Sequence, residues 1–135
     1  MSDASPDRVE LLVVSHLAET RKMMESHLRH RFTIATAADE AEALRLLFEG
    51  APDLVIVEYR LSDRSESGRN GLDVVAQAKD IAPRAIYILL VDEIDLGEAV
   101  HAKGNGDVDH WISRPWNAHK LCVNLQDARG KLSAR

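Results

Sequence analysis

At 135 residues the chain has room for one domain, and its balance of 45% apolar and 29% charged residues is that of a globular protein and not of a disordered one. A net charge of −5 and a pI near 5.6 argue against a dedicated nucleic-acid binder, and no apolar run approaches the ~20 residues that span a bilayer. The opening MSDASPDR is polar and unlike a signal peptide, so a cytoplasmic protein is expected, and a single cysteine, Cys122, leaves no internal disulfide.

Along the chain, strand-like and helix-like segments alternate. Residues 1–7 are expected to be flexible. Val9–Val14 (VELLVV) is a short apolar run rich in β-branched residues. Residues 18–30 place Met24 and Leu28 at a four-residue spacing, which predicts an amphipathic helix. Residues 32–35 (FTIA) alternate as a strand does. Residues 39–49 predict a helix that Asp39 caps, with Glu42 closing a capping box and Ala43, Leu44, Leu47 and Phe48 on one face; Gly50 stops it.

The second half repeats the rhythm. Residues 53–57 (DLVIV) form a continuous apolar run, as in a strand covered on both faces. The polar stretch 60–71 reads as a loop. Residues 72–82 predict a helix, with Val75, Ala78 and Lys79 at helical spacings after Leu72. Residues 85–91 (AIYILLV) predict another buried strand, 94–103 a helix and 109–113 a short strand. The last helix is expected over 117–130, with Leu121, Leu125 and Ala128 as its inward stripe and about 130–135 as a tail or linker.

Five strands alternating with five helices imply one α/β domain over 1–135, with helices on both faces of a parallel sheet. With right-handed crossovers, the expected solution is the flavodoxin-like, doubly wound (βα)5 arrangement with strand order 2-1-3-4-5. Its crevice lies at the carboxyl ends of the strands. The residues that matter are therefore those directly after Val14, Val57, Val91 and Ser113.

At this point the chain resembles the receiver domain of two-component response regulators, over nearly its whole length. LLVVSHLAETRKMM is similar to the first strand and helix of that family. APDLVIVEYRL resembles the phosphoacceptor strand, and NGLDVVAQAK the turn and third helix. GDVDHWISRPWNAHKL resembles the fifth strand, the lysine-proline turn and the last helix, with RPWN like the KPW variant of some receivers. The departures fall on the chemistry. The acidic pair that holds magnesium in the family corresponds to Ser15 and His16. The phosphoacceptor aspartate corresponds to Glu58. The serine or threonine after the fourth strand corresponds to Asp92, with Val91 the alternative if the register slips by one. The lysine corresponds to Arg114, its proline surviving as Pro115. The loop after Glu58 is longer than the family's.

Magnesium demands hard oxygen ligands in a near-octahedral shell. Ser15 and His16 replace the carboxylates, so its binding is expected to be weak or absent, and no cofactor is implied. Phosphoryl transfer depends on positioning and on neutralising phosphate charge, and Arg114 alone supplies that neutralisation beside Asp92. The resemblance thus implies a pseudo-receiver: a non-enzymatic, phosphorylation-independent interaction module in signal transduction. Arg114 is expected to stand as a charge clamp between Glu58 and Asp92, because two close carboxylates repel unless a cation separates them and the arginine fork can engage both.

The implied partners are proteins: a signalling protein, a histidine kinase or an effector domain, with neither nucleic acid nor membrane bound by this domain. The resemblance places the interaction face, and any homodimer, on helix four, strand five and helix five. Trp111 belongs to the switch there, and Trp116 is a second candidate; both also read as core-edge residues. Two other functions stay open. One is a working phosphorelay receiver with a non-standard acceptor, for which Asp63 and Asp73 are further candidates although neither ends a strand. The other is a small flavodoxin-like ligand binder, although SHLAETR after Val14 lacks a glycine- and hydroxyl-rich phosphate cradle. His16 reads either as a pH sensor facing the crevice or as a solvated loop residue. His27 and His30, three apart, read as a metal pair or as part of an exposed helical face. Cys122 reads as a small core residue.

Overall fold

The computed structural model describes residues 9–61 and 69–134. The elements run β1 (Val9–Val14), α1 (Ala18–Leu28), β2 (Phe32–Ala37), α2 (Glu40–Glu49), β3 (Leu54–Glu58), α3 (Gly71–Ile81), β4 (Ile86–Val91), a 3₁₀ turn (Glu93–Asp95), α4 (Leu96–Gly104), β5 (His110–Ser113) and α5 (Ala118–Ala134). The five strands form one parallel sheet in the order β2-β1-β3-β4-β5. This is the flavodoxin-like order expected from the alternation.

The central strands are apolar because both their faces are covered. Every residue of β3 and β4 is buried, as a parallel sheet between two helical layers requires. Alternate side chains feed two cores. Leu12, Val14, Val55, Val57, Tyr87 and Leu89 pack with Ala43, Leu47, Val74, Ala78, Ala99 and Ala102 of α2, α3 and α4. Leu11, Val13, Ile56 and Ile88 pack with Met24 and Leu28 of α1 and with Leu121, Leu125 and Ala128 of α5. The stripe expected on the last helix is thus its inward face.

The starts of α2 and α3 use short polar side chains. Asp39 accepts from the Glu42 amide at 2.8 Å, while Glu42 reaches back to the amide of Ala38 at 2.7 Å, one residue earlier than a strict capping box. Asn70 and Asp73 form a true box at α3: Asn70 Oδ1 accepts from the Leu72 amide and the Asp73 carboxylate from the Asn70 amide. Asp73 is therefore occupied as a cap.

Several boundaries differ from expectation. β2 continues to Ala37 because all six residues of β1 pair with it, through Val14↔Ala37. The first helix closes at Leu28, two residues early, with the Arg29 amide bonded to the Glu25 carbonyl. The last helix runs through Gly130 to Ala134, so the expected tail up to that residue is helical; one glycine costs a helix only ~1 kcal/mol and does not by itself end it. Phe48, expected on the inward face of α2, is 76% exposed, because Ala43 and Leu47 alone turn fully into the core. Residues 1–7 and most of the long loop, with Asp63, lie outside the described residues.

Candidate functional site

The carboxyl ends of β1, β3, β4 and β5 converge on Glu58. It is the last residue of β3 and only 3% exposed. Ser15, directly after β1, is fully buried; its hydroxyl donates to Glu58 Oε1 at 2.5 Å and accepts from the Leu17 amide at 3.1 Å. His16 Nδ1 lies 3.4 Å from the same carboxylate oxygen. Arg114, directly after β5, is held by its amide on the Val91 carbonyl at 2.8 Å. Its guanidinium sits 2.7 Å from Glu58 Oε2 and 3.3 Å from Asp92 Oδ1, and donates to Thr20 Oγ1 at 2.9 Å. The same group stacks over the Trp116 ring, 5.6 Å from its centroid. The Arg114–Pro115 peptide is cis.

The structure thus brings Ser15, His16, Glu58, Asp92 and Arg114 together. β4 ends at Val91, which is buried, so Asp92 and not Val91 faces Arg114. Asp92 is the loosest member, with its side chain 49% exposed. Three groups have no counterpart in the reading of the sequence. Thr20 is buried on the inward stripe of α1, four residues before Met24; a polar residue on that stripe was the available signal. Arg21 donates to the Ser15 carbonyl at 2.6 Å. Arg60 grips buried Asp95 with two bonds of 2.7 and 3.0 Å, which raises the Arg60 pKa through that hydrogen bond and the adjoining charge. Burial, and then the charge of Glu98, raises the neighbouring Tyr59 phenol.

Gly71 seals the floor. A Cβ there would meet the Glu58 carbonyl oxygen at 2.4 Å and the Tyr59 Cα at 3.0 Å. Only glycine lets the start of α3 close onto the end of β3, where its amide donates to the Tyr59 carbonyl at 2.7 Å.

The remaining candidates lie apart from Glu58. Trp111 is half-buried against the α2–α3–α4 core. Trp116 is half-buried against the α1–α5 core, with its indole N–H buried and without a hydrogen-bond partner. Cys122 packs on that same core, half-buried. His27 is half-buried on α1 and His30 exposed in the turn after it. Among the described residues no group of three or more His, Cys, Asp or Glu could hold a metal ion.

A magnesium ion, which receivers use, does not fit the groups present. Ser15 and His16 stand where carboxylates would be, and both oxygens of Glu58 are taken, one by Ser15 and one by Arg114. The remaining carboxylate, Asp92, also faces Arg114. A divalent cation bound to either carboxylate would sit beside the Arg114 guanidinium.

No family model matches the sequence, and no curated protein does. Solved structures match it closely in shape. A signal receiver domain of an HD domain-containing protein from Pseudomonas fluorescens superposes with a TM-score of 0.81 at 26% identity, over 95% of this chain and 99% of that one. A response regulator receiver domain from Clostridium thermocellum gives 0.78 at 24%, over 92% and 98%. A protein named adenylate cyclase, from Rhodopirellula baltica, gives 0.84 at 20%, over 94% and 91%. The chain therefore has the fold of the response-regulator receiver domains that are its structural neighbours. No described helix is long and apolar enough to cross a membrane.

Proposed function

We propose that the chain is a pseudo-receiver: a regulatory module that acts in signal transduction through protein contact, without phosphoryl transfer at Glu58. The observation that carries this reading is the engagement of both oxygens of the Glu58 carboxylate, by Ser15 at 2.5 Å and Arg114 at 2.7 Å. An acceptor carboxylate needs a free oxygen in line with the phosphorus and cations to neutralise the transferred group. Here the attacking oxygens are occupied and the cation that would neutralise the phosphate already faces two carboxylates. The module needs no cofactor, is not an enzyme, and works in the cytoplasm.

Its partner is a signalling protein, a histidine kinase or an effector domain. The docking face is formed by α4, β5 and α5, where Val100 is 52% exposed and a groove of about 310 Å³ runs along the open edge of β5 between Lys103, Trp111 and Lys120. Trp111 anchors it, since tryptophan concentrates binding energy at interfaces. The test is incubation with magnesium and acetyl phosphate, or with a beryllium fluoride mimic, followed by intact mass and amide NMR. Unchanged mass and spectra are expected. One added phosphate, or a global shift change on adding the mimic, would return the chain to the working receivers.

A further inference from the structure

Two carboxylates compete for Arg114. Glu58 is buried, and its Oε2 lies 2.7 Å from Nη2 of the guanidinium. Asp92 is half in solvent, and its Oδ1 lies 3.3 Å from Nη1. Charge alone does not rank them. Burial strengthens the attraction between Arg114 and Glu58, but it also raises the cost of taking both ions out of water. Asp92 offers a weaker attraction at a lower desolvation cost.

The tie is broken from α1. Thr20 is buried on the stripe of α1 that carries Met24 and Leu28 into the core. A buried hydroxyl is unfavourable on such a stripe unless it is bonded, and valine fills the same space without that cost. The bond it makes is to Arg114: Thr20 Oγ1 accepts from Nη2 at 2.9 Å. This is the same nitrogen that faces Glu58. The guanidinium is planar and moves as one piece. With Nη2 held between Thr20 and Glu58, and with one face on the Trp116 ring, its other nitrogen only just reaches Asp92.

We propose that Thr20 is the positioning residue of the clamp: its hydroxyl selects Glu58 over Asp92 as the close partner of Arg114. Without that acceptor, Nη2 keeps a proton with no partner in a buried place, whereas a turn toward Asp92 returns the guanidinium to water. The same turn lifts Arg114 off the Trp116 ring and uncovers Glu58 Oε2. The role deepens the proposed function and rests on it, because the standing contact between Arg114 and Glu58 is what closes this carboxylate to a phosphoryl group.

Thr20→Val and Thr20→Ser in the full chain test the selection, each made also with Trp111→Phe so that Trp116 is the sole tryptophan. Arginine side-chain NMR, with the Arg114 signals identified by their loss in Arg114→Lys, is expected to show slow rotation of the guanidinium nitrogens in the wild type. Thr20→Val should speed that rotation until the signals merge, and should shift the Trp116 emission maximum. Thr20→Ser, which keeps the hydroxyl, should retain the wild-type rotation and emission. Asp92→Asn should lower the urea midpoint more in Thr20→Val than in the wild type, because Asp92 has become the partner. Rotation and emission unchanged in Thr20→Val overturn the proposal. So does a Thr20→Ser protein that behaves as Thr20→Val, which makes the methyl group and not the hydroxyl the cause, or strict additivity with Asp92→Asn. Phosphate added to the wild type by acetyl phosphate would instead overturn the proposed function, and it is read separately, by intact mass.

Discussion

Replacing Arg114 by alanine removes the cation from a carboxylate that is 3% exposed. Three losses contribute. The pair with Asp92 is half in solvent and is worth ~1 kcal/mol or less. The stacking on Trp116 contributes about 0.5–1 kcal/mol. The dominant loss is the stranded Glu58 charge, since breaking a buried pair by deleting one partner costs about 3–5 kcal/mol. The expected destabilisation of Arg114→Ala is therefore about 4–6 kcal/mol at pH 7. The double mutant is the stronger test. Glu58→Gln in the Arg114→Ala background removes the stranded charge and should recover about 1–2 kcal/mol, whereas the same change in the wild type, which leaves the arginine without its closest acid, should destabilise. Urea denaturation of the four proteins at pH 7 gives the coupling. Strictly additive effects, or a cost below about 1 kcal/mol, would mean that the 2.7 Å contact carries no net energy and that the charges merely coexist.

Two further outcomes follow from the packing around the sheet. Gly71→Ala forces a methyl group against backbone that cannot rotate away, 2.4 Å from the Glu58 carbonyl oxygen, and should cost about 2–3 kcal/mol in urea denaturation; a loss below about 0.5 kcal/mol would show that α3 does not close on β3 this tightly. Tyr87 is fully buried, its hydroxyl donates to the Ala82 carbonyl at 2.7 Å, and burial, with Asp109 adding to it, pushes its pKa up to about 12. Because the folded value is raised, its contribution is intact below about pH 10 and lost between about pH 10 and pH 12, some 2–3 kcal/mol in all. Tyr87→Phe should cost about 1 kcal/mol at neutral pH and lose that alkaline fall, and equal alkaline slopes in the two proteins would refute the argument.

The sheet was legible because burial on both faces leaves a mark that survives in composition. β3 and β4 are continuous apolar runs for that reason, and Leu121, Leu125 and Ala128 line up because α5 has one covered side. Ser15, Glu58, Asp92 and Arg114 were locatable because each lies at the end of such a run. Their contacts were less so. Thr20 and Arg114 bond across 94 positions of sequence, and Arg60 and Asp95 across 35; no local spacing encodes a partner that far away. Phe48 shows the opposite limit. Helical periodicity assigns it to the inward face of α2, yet Ala43 and Leu47 fill that face, so how far a helix rotates toward its neighbours is settled by packing.

The position of Arg114 bears on how such a module works. Its guanidinium joins the ends of β3 and β4 to α1 through Glu58, Asp92 and Thr20. A receiver that switches on gaining a phosphoryl group needs its cation free to change partners. Here, releasing Arg114 from Glu58 strands a buried carboxylate, at about 3 kcal/mol. An arrangement that lies ~3 kcal/mol higher is populated below about one percent, and a ligand must prefer it by roughly 150-fold merely to bring the two to equal population. Few weak signalling contacts discriminate between two states of one surface by that much. Under the proposed reading the clamp therefore holds the crevice in one arrangement. Regulation then comes from which protein occupies the surface, and from how much of it is present, and not from a change in the charge at Glu58.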